Sequence, residues 1–447
     1  MKRWRILSLL LAVLAAGGLL AAGLFVSASG RNVVYDETIL QGAAEDFSGV
    51  VVHAKNRMRN EVLWETDYLP GSGLKTDTTA RYGVSDWAYI DLPPSVHCSS
   101  YLTNAPTLRN GDEADLMVES VASRTPVGET NEEVIRAADW YEFFPITVWM
   151  DGDGTDSVQT EAELKIPVPE DYFVRVIVSR PDSAQFSFTI REEAFRGPTL
   201  DAVSAGVTDG DAAHCWFALD TGSLDTSLLP GGGGVMQMDS ADDEVKSAYS
   251  LPVGTRVVDL WLSADESTLY VLHSLDGAHA VTALRTEDMA VRQEIALPIA
   301  AEAALEPTIR DGETVLLPAT DGTLTVLTAG DDSALTLRMQ VTTAGDPVLQ
   351  APAHQELREL VSADFRDGRL VLARQQYVEA DVTQDLDLLI SVYDETGSRS
   401  TMVSRCSIGQ EIDPERDKRK FYTPRDFALR PGWTRPVTVS FEKDSTI

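Results

Sequence analysis

Asp151, Asp153 and Asp156 stand in the run Asp-Gly-Asp-Gly-Thr-Asp, and clustered carboxylates with a glycine for the turn are how a calcium loop opens. An EF-hand needs a glutamate at the twelfth position, which here is Ala162, and flanking helices, which the surrounding sequence does not suggest. A loop between strands remains a candidate Ca²⁺ site, with a plain acidic turn as the alternative. His97-Cys98 and His214-Cys215 have the donor types for zinc. Adjacent strand residues point to opposite faces, so neither dipeptide can chelate from one side, and packed core positions are the expectation. Ser72-Gly73-Leu74-Lys75 fits a serine-lysine nucleophile pattern, but the Ser-Asp-Asn and Lys-Thr-Gly companions of that chemistry do not follow. Gly231 to Gly234 lack the Lys-Ser/Thr of a phosphate loop and read as a flexible linker between strands. Trp140, Tyr141, Phe143, Phe144 and Trp149 form the densest aromatic patch. Trp140, Tyr141 and Trp149 are therefore candidates for a ligand surface that stacks a sugar or a peptide, unless the strand is simply core. No Gly-x-Ser-x-Gly or His-Glu-x-x-His occurs, so no catalytic residue is assigned and no cofactor beyond that candidate Ca²⁺.

Such residues must be carried by β-structure. Beyond about residue 30, helix signals are scarce, and short runs of Val, Leu, Ile, Thr and aromatics alternate with Asp-Gly and similar turn dipeptides. Residues 251–298 divide into four strands and three tight turns: LPVGTRVVDLWLS, TLYVLHS, HAVTALR and AVRQEIALP. The plan recurs at 299–343 and 355–407, and more loosely at 199–252. First-turn aspartates fall at Asp209, Asp265, Asp311 and Asp367, and Leu-Pro recurs at Leu251-Pro252 and Leu297-Pro298. Four-strand units near a fifty-residue period are the signature of β-propeller blades. Leu269-Tyr270-Val271-Leu272 is a continuous apolar run, as expected of a strand buried on both faces. The fold class expected is all-β, a propeller of six or seven four-stranded blades over residues 31–447. A β-sandwich over 34–195 followed by an incomplete propeller is the alternative.

In the N-terminal third the candidate strands are 49–54, 61–66, 86–92, 114–120, 143–150, 160–167, 172–180 and 185–191, with a polar insertion near 123–133. C-terminal strands at 421–428 and 436–441 are expected to close a blade with early ones.

Residues 251–298 resemble the YVTN-type β-propeller repeat. LPVG, LSADESTLYVL and AVTALRTEDMAVRQEIALP stand in that repeat's order and spacing, with Ala264, Glu266 and His273 in place of its Pro, Gly and Asn. The close match covers one blade, and the other units match in plan. The resemblance implies a fold rather than an activity, because propellers host many functions.

Charge and the N-terminus place the domain. Lys2, Arg3 and Arg5 precede an uncharged apolar stretch, Ile6 to Val26, and the next charge is Arg31. At about 1.5 Å per residue that stretch is long enough to span a hydrocarbon core. The cationic flank favours a cytoplasmic N-terminus with everything after residue 30 outside. Val26-Ser27-Ala28 offers a peptidase site, so a secreted product cleaved after Ala28 is the alternative to a retained anchor; the length of the stretch favours the anchor. With 70 acids against 37 bases and a net charge of −33, the chain repels phosphate backbones, and no nucleic-acid partner is expected. The basic run Arg416, Lys418, Arg419 and Lys420 is interrupted by Glu415 and Asp417. Three cysteines far apart, Cys98, Cys215 and Cys406, make no disulfide scaffold. Together these features point to a membrane-tethered binding, sensor or assembly protein acting on a protein, peptide or envelope component without catalysis. A hydrolase or lyase using channel carboxylates or Ca²⁺, and a purely structural surface protein, are the rivals.

Overall fold

A computed structural model describes residues 2–29, 33–58, 62–72, 76–82, 93–98, 112–151, 158–182, 186–192, 200–209, 212–222, 224–330, 332–350, 357–379, 384–408, 421–422 and 437–442. The chain divides into two compact units, one of residues 1–90 with 304–447 and one of residues 91–303. Strands dominate both.

In the 91–303 unit, two sheets are meanders of four strands hydrogen-bonded in sequence order. The first is Asp201–Asp209, Ala212–Asp220, Val235–Asp239 and Asp242–Tyr249. The second is Arg256–Leu262, Thr268–Leu275, Ala278–Arg285 and Val291–Leu297, the repeat read most clearly from sequence. Its Asp276-Gly277 turn has positive φ at both residues, 50° and 77°, as a two-residue hairpin requires.

Side chains of Ala212–Asp220 alternate between two cores. Cys215 and Phe217 pack with Met236, Met238 and the sheets preceding them. Trp216 and Ala218 pack instead with Leu260, Leu269 and Val271 of the next sheet. One strand therefore serves two cores, which is possible only when sheets stack face to face.

Two three-stranded sheets precede these meanders. Ser95–Cys98, Phe143–Asp151 and Val158–Pro167 form one, and Ser187–Glu192, Phe173–Arg180 and Glu129–Arg136 the other.

The 1–90/304–447 unit repeats the principle. Ile309–Asp311, Thr314–Pro318, Thr323–Ala329 and Leu335–Thr342 form a third four-stranded meander. A five-stranded sheet comprises Ser362–Arg366, Arg369–Glu379, Gln384–Tyr393 and Arg399–Ile408, and adds Val33–Gln41 from the other end of the chain. Its alternate residues again divide between two cores: Val371, Ala373, Leu388 and Ile390 on one face, Leu370, Leu372, Leu389 and Tyr393 on the other. The last sheet joins Val50–Met58, Val62–Tyr68 and Thr76–Tyr82 with Phe421–Tyr422 and Val437–Phe441. Both ends of the sequence thus share sheets, as the C-terminal strands near 421–441 were expected to do. The same pairing removes a self-contained sandwich over 34–195, because Val33–Gln41 is bonded along its length to Arg399–Ile408.

Two expectations fail in the N-terminal third. Residues 114–120 are helical, within α2 (Asp112–Arg124). Ala114, Met117, Val118, Val121 and Ala122 are buried, and that three-four spacing lays one apolar stripe on the neighbouring sheet. The polar stretch near 123–133 is not an insertion, since Glu129–Arg136 pairs antiparallel with Phe173–Arg180. Its outward acids meet cations: Glu132 holds Arg175, and Glu133 holds Arg124 at 2.6 Å. The strand expected at 86–92 lies outside the described residues.

The N-terminal helix, α1 (Lys2–Ser29), carries exposed apolar side chains, with Leu11, Leu14, Leu19, Leu20 and Leu24 between 59% and 75% exposed. Among the described side chains, which in α1 run from Leu11 to Leu24, no helical stretch is long and apolar enough to cross a membrane.

Candidate functional site

The antiparallel register pairs Ser95 with Asp151 and His97 with Trp149, which puts all four side chains on one face of their sheet. His97 Nε2 lies 3.1 Å from Ser95 Oγ and 3.3 Å from Asp151 Oδ2, and its ring stacks on Trp149 at 5.9 Å. The residue types are those of a nucleophilic triad, but the geometry is not. A triad needs the serine on one ring nitrogen and the carboxylate on the other. Here both crowd Nε2, so this carboxylate cannot hold the ring in a tautomer that accepts the serine proton.

His214 is similarly occupied. Its Nδ1 meets Asp239 on the paired strand, and its ring stands edge-on to Trp216 at 4.2 Å. Cys98 and Cys215 point away from these histidines, as adjacent strand residues must. Burial raises the Cys98 thiol to about 11 and the Cys215 and Cys406 thiols to about 12, so none is a ready thiolate at neutral pH. All three are free. Among the described residues no group of three or more His, Cys, Asp or Glu converges as a metal site. Asp151 is tied to His97, while Asp153 and Asp156 lie outside the described residues.

The aromatic patch is divided by the fold. Trp140 and Tyr141 pack against the core of the 91–303 unit, before the strand begins at Phe143. Trp149 stands six residues further along that strand, about 20 Å away at 3.3 Å per residue. The three candidates therefore do not form one stacking platform. Ser72 Oγ is engaged by the carbonyl of Leu69 at 2.6 Å, and Lys75 lies outside the described residues.

One concave site of the 91–303 unit is one that the sequence marked only faintly. A cavity of about 130 Å³ opens between the loop joining the second and third strands of the 201–249 sheet and the Leu251–Thr255 corner that follows that sheet. Gly231 to Gly234 were expected to be a flexible linker; Gly232, Gly233 and Gly234 instead build part of its wall. Pro230–Gly232 forms a short 3-10 turn, with Gly232 N bonded to Leu229 O at 2.9 Å. Thr226 Oγ1 donates to Gly232 O at 2.6 Å and fixes the turn from across the loop. Gly234 sits at φ 90°, and a Cβ there would lie 2.6 Å from Tyr249 O, so only glycine fits. Thr255 also lines the cavity, while its Oγ1 is closed to solvent and has no hydrogen-bond partner. No ionisable side chain is among the lining residues.

No protein-family model matches the sequence, and no curated protein matches it. Solved structures similar to it include the Dos1 propeller, at 8% identity over 65% of this chain and 80% of that one, TM-score 0.27. The β-propeller domain of Cps50 (Swd1) from Myceliophteria thermophila is 11% identical over 62% of this chain and 97% of its own, TM-score 0.25. TolB from Acinetobacter baumannii is 11% identical over 89% and 86%, TM-score 0.26. The sheet topology, rather than these likenesses, carries the architecture.

Proposed function

We propose that this chain is a membrane-tethered, extracytoplasmic binding or assembly protein without catalytic activity, built as a six- or seven-bladed propeller of which the 251–298 repeat is YVTN-like. The observation that supports the non-catalytic reading is the geometry of Ser95, His97 and Asp151, in which hydroxyl and carboxylate both approach Nε2 of the ring. That arrangement does not orient the imidazole as a general base toward the serine. The tether is supported by the uncharged stretch Ile6 to Val26 behind its cationic flank, and by the exposed leucines of α1. Stacked sheets supply a rigid platform from which loops present the site. The strongly acidic surface keeps anionic lipid headgroups and nucleic acid away from the domain, leaving a protein, a peptide or an uncharged envelope component as partner.

Purified full-length protein, incubated with fluorogenic esterase, glycosidase and peptidase substrates with and without Ca²⁺, is expected to show no turnover above the buffer rate. Turnover that disappears in Asp151→Asn or His97→Gln would establish a hydrolase instead.

A further inference from the structure

We propose that the slot between Val50–Ala54 and Ser362–Arg366 is an acceptor for an extended apolar segment, and that two copies of this chain assemble by exchanging the strand that fills it, Val437–Phe441. The inference goes beyond the reading above and depends neither on the tether nor on the absence of catalysis.

Both walls and the strand belong to the 1–90/304–447 unit. One wall is backbone. Val437–Phe441 runs antiparallel to Val50–Ala54 in unbroken register, from Val437 opposite Ala54 to Phe441 opposite Val50. The other wall is made of side chains. Ser362, Asp364 and Arg366 are alternate residues of one strand and so point to one face. Val439 N donates to Ser362 Oγ at 2.9 Å, and Phe441 N donates to Asp364 Oδ2 at 2.8 Å. Arg366 Nη1 donates to Phe441 O at 3.1 Å and to Glu442 O at 2.9 Å. Ser362 Oγ gives its own proton to Asp311 Oδ2, which turns its lone pairs toward the strand. The strand is thus satisfied on both edges, by a backbone ladder on one and by side chains on the other. The floor is apolar, with Val437, Val439 and Phe441 buried among Val50, Val52, Ala54 and Ile390.

What the slot accepts follows from these contacts. Backbone is read on both edges and apolar side chains are required at every second position, which is recognition by strand addition. The segment seated there is this chain's own, so every other copy carries a matching one. The attachment of the strand leaves room for exchange. Phe421–Tyr422 pairs with the same strand, and Tyr422 stands opposite Arg57 while Val437 stands opposite Ala54. Only Lys55 and Asn56 lie between, so two residues would join Tyr422 to Val437 along this edge. The sequence has residues 423–436 instead. Fully extended, that connection reaches about 48 Å at roughly 3.4 Å per residue. It is long enough to set Val437–Phe441 in the slot of a neighbouring copy while Phe421–Tyr422 stays on its own sheet. The exchanged form makes the same bonds as the closed one, so concentration and the connection set the balance between them, and exchange is a low-cost route to a dimer.

The test uses two full-length proteins in detergent, His53→Cys and Thr438→Cys. The two positions are opposite each other in the register and both are exposed. Val439 and Phe441 turn their N–H groups toward Ser362 and Asp364, so Thr438 faces the ladder in a hydrogen-bonded pair with His53. Such a pair holds its Cα atoms about 5.5 Å apart, within reach of a disulfide. In a closed monomer of either protein the opposite position is unsubstituted, so mild oxidation of the equilibrated mixture links chains only where strands have been exchanged. A disulfide-linked species of twice the chain mass is expected in the mixture, rising with concentration and absent when either protein is oxidised alone. A capped peptide of residues 437–442 in excess is expected to reduce it to the level of the single proteins. The same peptide with Val439→Pro lacks the N–H that meets Ser362 and is expected to leave it unchanged. The double variant His53→Cys/Thr438→Cys checks the register and is expected to close within one chain at low concentration. No linked species in the mixture while the double variant closes would overturn the exchange. A linked species equally abundant with either protein alone, or one indifferent to the native peptide, would overturn the slot as its origin. Failure of the double variant to close within or between chains would overturn the slot itself.

Discussion

Asp346→Ala is expected to destabilise the 1–90/304–447 unit by about 4 kcal/mol, among the largest effects a single substitution produces. Asp346 is 1% exposed and its carboxylate is fully engaged. Val348 N donates to it at 2.9 Å, Ser391 Oγ at 2.8 Å and Tyr393 OH at 2.5 Å. Arg374, itself 2% exposed, donates from Nη2 to Pro347 O at 2.7 Å, while its Nε and Nη1 have no hydrogen-bond partner. Burial lowers the Arg374 pKa and the nearby Asp346 charge opposes that shift, so the aspartate is what keeps a buried guanidinium tolerable. Removing it strands three donors and takes away the negative charge near a buried guanidinium; each buried donor left unpaired costs about 1–3 kcal/mol. Chemical denaturation of the variant and of the double variant Asp346→Ala/Arg374→Met separates the two contributions. If the stranded cation dominates, the second change recovers about half the loss, since a buried charge is replaced by an apolar chain of similar length. A single variant within about 1 kcal/mol of the parent would show that the cluster is hydrated and contributes little.

Val271→Asp and Leu272→Asp are both expected to abolish soluble, protease-resistant protein. The two residues are neighbours on Thr268–Leu275 and point to opposite faces of their sheet. Both are completely buried. Val271 lies across from Leu260 and Thr282 and packs with Trp216 and Ala218 of the preceding sheet. Leu272 shares the other face with Trp261 and Tyr270, whose rings stack at 5.2 Å, and is equally closed to solvent. Each substitution loses roughly 2 kcal/mol of apolar burial and adds several more for a carboxylate with no partner. Against a typical total of about 5–15 kcal/mol, either is enough. In a one-sided sheet only one of the pair would matter, and the other would change stability by about 0.5 kcal/mol. Parent-like denaturation of either variant would mean that this sheet is not packed on both sides.

How much of this could be read from the sequence depends on how local the determining contacts are. The 251–298 meander was legible strand by strand, because its turns are written as short polar dipeptides and its middle strands as unbroken apolar runs. The doubly buried Leu269-Tyr270-Val271-Leu272 run needed no partner to be recognised. Helix α2 was misread because Leu116-Met117-Val118 looks like a strand in isolation, whereas the buried set from Ala114 to Ala122 recurs at helical spacing. Glu129–Arg136 was hidden by composition, since its acids are offset by Arg175 on a paired strand and Arg124 at the end of α2. The cavity left a faint signal: four consecutive glycines next to a Leu-Pro-Val-Gly corner mean open backbone on both sides of one gap, and a linker reading discards that. Asp346, Arg374, Ser391 and Tyr393 left none, because only the packing of the Pro347–Leu349 turn on the paired strands brings them together. The histidine pairs could have been anticipated as cross-strand contacts had the register of Ser95–Cys98 with Phe143–Asp151 been known.

Location and function both rest on the tether, and alkaline carbonate extraction of cells producing the full-length chain tests it most directly. With Ile6 to Val26 retained as a spanning helix, the protein is expected to stay in the membrane pellet after washing, with that stretch still attached. A soluble product beginning at Ser29 would contradict the tether and show a secreted protein released by cleavage after Ala28.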